Sequence, residues 1–147
     1  MKTLTVKAIT AGAALTVLID WWLKAFAIER LPEIGSRGRL VDFILHKNEG
    51  IAFNIPIPLW IIIPLTVGVC TWLAFLSYQH WNTDRRISVS ANVVLLGAIG
   101  NLADRVINNF TTDYILLFGR SAINLADILI VTGILSLLWY TKHTRTS

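Results

Sequence analysis

Four stretches of this chain are apolar for long enough to cross a bilayer, whose hydrocarbon core takes about 20 residues of helix. They run from about Ala8 to Ala27, Ile57 to Tyr78, Ile87 to Ala103 and Ala122 to Tyr140. Lipid offers the backbone no hydrogen-bond partners, so such segments must be helices. The expected fold class is therefore an all-α membrane protein with four transmembrane helices, read as one domain over residues 1–147. Composition agrees: 54% of residues are hydrophobic and 15% charged, whereas soluble domains carry about 25% charged residues.

The formal net charge of +4 does not signal nucleic-acid binding, because the basic residues fall between apolar blocks rather than on one polar surface. They instead set topology. Lys2, Lys7, Arg85, Arg86, Lys142 and Arg145 fall on one side, opposed only by Asp84. Arg30, Arg37, Arg39, Lys47, Arg105 and Arg120 fall on the other, matched by six acids. The first side packs its cations into very short segments, so the positive-inside rule puts both termini in the cytoplasm. The first run continues well past Ala13, which reads as a retained span rather than a cleaved leader. Cys70 stands alone in an apolar run, and His46, His80 and His143 lie far apart. Neither a disulfide nor a metal site is expected, and no cofactor is.

Two longer segments then face outward. Leu40 to Leu45 and Tyr114 to Phe118 are short apolar runs of strand-like composition. A small extracytoplasmic β-containing segment resting on the membrane surface is expected.

Ionisable and amide side chains within or beside spans are costly, and by default suggest function. Asp20 and Lys24 are spaced i, i+4 and share a helix face. Asn101, Asp104 and Arg105 end the third span, while Asn124 and Asp127 start the fourth. Because successive spans are antiparallel, all these groups gather at one interface. The tetrapeptide Asn-Leu-Ala-Asp occurs at Asn101–Asp104 and at Asn124–Asp127, but one copy ends a helix and the other begins one. Asp104 is followed by Arg105, a cation expected to hold it ionised. Asp113 has no adjacent cation. Two carboxylates brought close share a proton, so that one activates water while the other polarises a carbonyl.

Five motifs occur in order: Asp20-Trp-Trp-Leu-Lys24, Asn48-Glu-Gly-Ile-Ala-Phe53, Gly97-Ala-Ile-Gly-Asn-Leu-Ala-Asp-Arg105, Thr112-Asp-Tyr-Ile115 and Asn124-Leu-Ala-Asp127. Together they resemble the sequence boxes of the lipoprotein signal peptidases (signal peptidase II). The resemblance implies a bacterial inner-membrane aspartyl endopeptidase that removes the signal peptide of diacylglyceryl-modified prolipoproteins at the extracytoplasmic face. It implies Asp113 and Asp127 as the catalytic pair and Asn48, Gly50, Asn101, Arg105 and Asn124 as substrate-binding residues. Asp20, Lys24 and Asp104 would support them. It also implies globomycin as an inhibitor, and membrane lipid as surroundings. The chain departs from the family's usual pattern in Trp21, in Thr111-Thr112-Asp113-Tyr114, and in the short segment between Asp113 and Asp127.

Plainer readings compete. Asp20 and Lys24 would also suit an interfacial salt bridge, Asn48-Glu49-Gly50 a simple turn, and Asp127 a helix start favoured by the helix dipole. A catalytically inactive binder of lipoprotein precursors and a small four-span transporter are the functional alternatives. A transporter would place its acid in mid-span, whereas these acids lie near span ends. The Gly-x-Ser-Gly and Gly-x-Gly-Asp segments of other intramembrane proteases do not occur.

Overall fold

The computed structural model describes residues 3–33, 40–51 and 55–144. Ala52 and Phe53 of the second motif, and Lys2, Arg37, Arg39 and Arg145 of the charge pattern, lie outside the described residues. The elements follow the order α1 (Thr3–Arg30), β1 (Val41–Asn48), α2 (Leu59–His80), α3 (Arg85–Asn108), β2 (Thr111–Leu117), β3 (Ser121–Ile123) and α4 (Leu125–Thr144). All four helices are long and apolar enough to cross a membrane. The first extends beyond its expected limits at both ends, and the third continues five residues past Ala103.

The helix ends follow local chemistry. Pro56 and Pro58 precede α2, where their missing N–H groups cost no helical hydrogen bond. Asp84 caps α3, its carboxylate accepting from Arg86 N at 3.0 Å. Asn109 ends α3 in the left-handed conformation, φ 66°, and its N–H returns to the Arg105 carbonyl. The fourth helix begins at Leu125 rather than near Ala122, because Ser121–Ile123 pairs with β2. An antiparallel sheet of order β1-β2-β3 results. Asn48 faces Thr111 and His46 faces Asp113 across the first ladder, which is irregular between Phe43 and His46.

Helix α3 is the central helix, packed against α1, α2 and α4 and far more buried than the other three. Lipid tails are as apolar as leucine, so helices associate in a membrane through close packing and interhelical hydrogen bonds. Both devices occur. Ser77 and Ser88 join α2 to α3 at 2.9 Å, and Ser90 donates to Ser136 of α4 at 2.9 Å. A Cβ at Gly97 would meet the Ala126 carbonyl at 2.7 Å, and one at Gly133 would meet Val94 Cγ2 at 2.6 Å. These glycines let α4 lie directly on α3.

Gly97→Ala is therefore expected to lower the unfolding midpoint in detergent, since overpacking costs about 1–3 kcal/mol. Gly68→Ala, where nothing lies within 4 Å, is expected to leave the midpoint unchanged or raise it. Equal midpoints for the two variants, measured side by side, would contradict this account of the α3–α4 contact.

Candidate active site

The end of the bundle that carries the sheet gathers the polar groups. Lys24 Nζ lies 2.9 Å from Asp20 Oδ2, as the i, i+4 spacing predicts. It also lies 3.5 Å from Asp104 and donates to Asn101 Oδ1 at 2.7 Å, reaching both from α1 to α3. All four of these side chains are buried. The cation on Asp104 is thus Lys24, not the neighbouring Arg105 expected from sequence, which donates from Nη2 to the Gly50 carbonyl at 3.3 Å.

Each acid of this cluster anchors another element. Asp104 accepts from Thr112 N at 2.6 Å and from Asn108 Nδ2 at 2.7 Å, so it holds the start of β2. Asp20 Oδ1 accepts from Leu125 N at 2.9 Å and from Ala126 N at 3.4 Å. Two of the orphan N–H groups of α4 are therefore satisfied by an aspartate of another helix. Tyr114 Oη also donates to Asp20, at 2.8 Å. Burial and the adjacent Asp20 carboxylate push the Tyr114 hydroxyl well above the usual tyrosine range, so it stays protonated and donating.

The remaining two aspartates are gripped differently. Asn124 Nδ2 donates to Asp113 Oδ1 at 2.7 Å, and Asn48 Nδ2 to Asp113 Oδ2 at 3.1 Å. Asn101 Nδ2 donates to Asp127 Oδ1 at 2.8 Å. Asn124 and Asp127 also form a reciprocal capping pair at the start of α4: Asp127 N donates to Asn124 Oδ1 at 2.9 Å, and Asn124 N to Asp127 Oδ2 at 3.2 Å. Asn124 thus touches both carboxylates, while Asp113 is buried and Asp127 half-buried. Gly50 N donates to Asn48 Oδ1 at 3.1 Å, which fixes the amide that faces Asp113. The structure therefore joins Asn48, Gly50, Asn101, Arg105, Asp113, Asn124 and Asp127 in one constellation, with Asp20, Lys24 and Asp104 directly behind it.

Sequence reasoning assigned no individual role to Thr112 and Tyr114, which dock β2 onto Asp104 and Asp20. Their spacing of two within a strand would have put them on one face. A cavity of about 460 Å³ opens beside Gly50, lined also by Pro56, Ile57, Leu59 and Asn109; a second, of about 330 Å³, lies between α1 and α3 beside Trp21 and Ile28. Neither is lined by Asp113 or Asp127. Among the described residues, no group of three or more His, Cys, Asp or Glu side chains is placed to hold a metal ion.

Burial and, after it, the nearby Asp127 charge push the Asp113 carboxyl up to about 7, against the pull of the Asn48 and Asn124 donors. In the unfolded chain the same group loses its proton near pH 3.9. The fold holds a proton there that the unfolded chain has lost, so stability is full below the unfolded value and falls as pH rises towards 7. Asp113→Asn removes this dependence. The variant is expected to unfold at a higher temperature than wild type at pH 8, with the gap closing towards pH 4. A gap that does not vary with pH would be inconsistent with a proton held on Asp113.

The fold and these contacts can be set beside known proteins. Residues 12–142 match the family described as signal peptidase (SPase) II. A lipoprotein signal peptidase of Bartonella bacilliformis is 35% identical over 138 residues, covering 86% of this chain and 82% of that protein. One from an Azoarcus species is 32% identical over 149 residues, covering 86% and 84%. The fold is similar to a bacterial membrane enzyme solved by the in meso method at 2.3 Å resolution, with a TM-score of 0.75 at 21% identity, covering 99% of this chain and 91% of that one. A second such enzyme, solved at 1.9 Å, has a TM-score of 0.71. With a family match across most of its length and relatives above 30% identity, this chain belongs to the signal peptidase II family of membrane peptidases.

Proposed function

We propose that the chain is an aspartic endopeptidase that removes the signal peptide from diacylglyceryl-modified prolipoproteins, with Asp113 and Asp127 as its catalytic pair. The observation that carries this reading is the amide grip on those two carboxylates, Asn101 on Asp127 and Asn124 on both, through its side-chain amide on Asp113 and its backbone N–H on Asp127. Amide donors orient a carboxylate without fixing its charge as a lysine would. Asp113, pushed up to about 7, carries the proton, and Asp127 is the base.

The proposed reaction balances within the pair. Asp127 takes a proton from water, and the resulting hydroxide attacks the scissile carbonyl. The Asp113 carboxyl donates to the carbonyl oxygen as it becomes negative, giving a tetrahedral diol. Collapse re-forms the carbonyl and breaks the C–N bond. The leaving nitrogen takes the proton from Asp127, and Asp113 recovers its own from the diol. Asn101 and Asn48 keep the two carboxylates aimed, and Arg105 with Gly50 borders the substrate path. Asp20, Lys24 and Asp104 support the site from behind.

The charge pattern supports an orientation with both termini in the cytoplasm of a bacterial cell and the sheet end, with its site, at the extracytoplasmic face. The lipid-modified end of the substrate would then lie in the outer leaflet. Globomycin is the inhibitor that this reading expects. The transporter reading loses its ground in a peptidase family. The inactive-binder reading is separated by experiment.

Asp113→Asn and Asp127→Asn are each expected to reduce cleavage of a diacylglyceryl-modified prolipoprotein in detergent by about 10²–10⁴-fold or more, with folding retained and wild type blocked by globomycin. Asp104→Asn is expected instead to lower the yield of folded protein. A fully folded but inactive Asp104→Asn, beside an active Asp113→Asn, would reassign the pair. A wild type that binds the lipidated precursor without cutting it would make this family member a binding protein.

A further inference from the structure

Strand β2 alternates its faces. Thr112 and Tyr114 turn towards Asp104 and Asp20 on the helices. Thr111 and Asp113 therefore share the opposite face, about 7 Å apart along the strand. Thr111 is only 2% exposed, and its hydroxyl has no hydrogen-bond partner among the described residues. An unpaired buried hydroxyl costs about 1–3 kcal/mol, and valine would fill the same volume without that cost. A second buried donor, Arg105 Nε, likewise has no partner among the described residues, although Nη2 of the same guanidinium holds Gly50.

Thr111 pairs in register with Asn48, the residue that touches Asp113. The cavity of about 460 Å³ abuts this end of the ladder: Gly50 lies two residues beyond Asn48, and Asn109 two residues before Thr111. Pro56, Ile57, Pro58 and Leu59 give it an apolar wall, and Glu49 a charged rim. An extended peptide presents like-facing carbonyls every second residue, at the same spacing of about 7 Å.

We propose that Thr111 is a substrate-positioning residue, its hydroxyl donating to the backbone carbonyl two residues from the scissile one while the apolar wall of the adjoining cavity takes a side chain of that segment. This rests on the peptidase reading and adds to it a contact with the extended peptide backbone. The substrate supplies the acceptor that the Thr111 hydroxyl lacks among the described residues, and the hydroxyl fixes how far along β2 the peptide slides.

The experiment compares full-length wild type, Thr111→Val and Thr111→Ser in detergent. Thermal unfolding, cleavage kinetics and the Kd for a synthetic diacylglyceryl-modified precursor peptide are measured for each. Loss of one neutral hydrogen bond is expected to raise KM and Kd about three- to tenfold in Thr111→Val, with kcat unchanged and the unfolding midpoint not lowered. Thr111→Ser is expected to restore both constants. Unchanged KM and Kd, a fall in kcat alone, or a lowered midpoint that Thr111→Ser does not rescue would each overturn the proposal. A wild type that binds without cutting defeats the proteolytic reading, and the Kd comparison still decides the role of Thr111. A wild type that fails to bind the peptide overturns both.

Discussion

A lysine ammonium group placed at the end of a helix bundle and closed off from solvent is tolerated only if its surroundings replace the water it has lost. Lys24 does this with two carboxylates and an amide, from Asp20, Asp104 and Asn101. Removing one partner of such a buried pair typically costs about 3–5 kcal/mol, because the other charge is stranded. The cluster also holds one more negative charge than positive. That surplus is met by backbone N–H groups: Leu125 and Ala126 at the positive end of α4 on Asp20, and Thr112 on Asp104. The charge balance of one lysine therefore ties together α1, α3, α4 and β2.

The consequence reaches the candidate catalytic residues through the chain itself. Asp104 holds Thr112, and Asp20 holds Tyr114, the two residues on either side of Asp113. Asp20 also holds Leu125 and Ala126, which immediately precede Asp127. The strand bearing one aspartate and the helix turn bearing the other are thus docked on the same buried ion cluster. Close packing at Gly97, where a Cβ would meet the Ala126 carbonyl, fixes that helix turn from the opposite direction. In the proposed site, the two carboxylates would owe their placement to groups behind them.

The four nearby aspartates divide by whether they meet the Lys24 ammonium. Asp20 and Asp104 both face the Lys24 ammonium and backbone N–H groups, with Tyr114 Oη added on Asp20 and Asn108 Nδ2 on Asp104. Asp113 and Asp127 receive side-chain amides, from Asn48, Asn101 and Asn124, together with the Asn124 backbone N–H on Asp127. Neutral donors orient the carboxylates while leaving room for a proton to come and go. For Asp113 that proton is favoured by burial, at a cost in stability at alkaline pH. Strain of this kind at a site, offset by the ion cluster behind it, is the usual trade between stability and activity.

Much of this was legible in the sequence because it is local. Span lengths, the i, i+4 pairing of Asp20 with Lys24, and the gathering of polar groups at one end follow from helix periodicity and the cost of charge in lipid. The family follows from five ordered motifs, although the reciprocal cap formed by Asn124 and Asp127 went unread in its tetrapeptide. What remained hidden is not local. Asn101–Asp104 and Asn124–Asp127 have the same four residues in the same order, yet Asp104 binds a strand and Asp127 faces Asn101. No spacing rule separates them, because the difference lies in which other helix each one meets. The partner of Asp104 proved to be Lys24, far away in sequence, rather than the adjacent Arg105. The start of α4 was displaced from Ala122 because β2 captured Ser121–Ile123 as a strand. The sequence by itself determined that four helices are long and apolar enough to cross a membrane and which polar residues lie near their ends. Only the tertiary structure decided which carboxylates meet the Lys24 ammonium, since that depends on packing between helices far apart in the sequence.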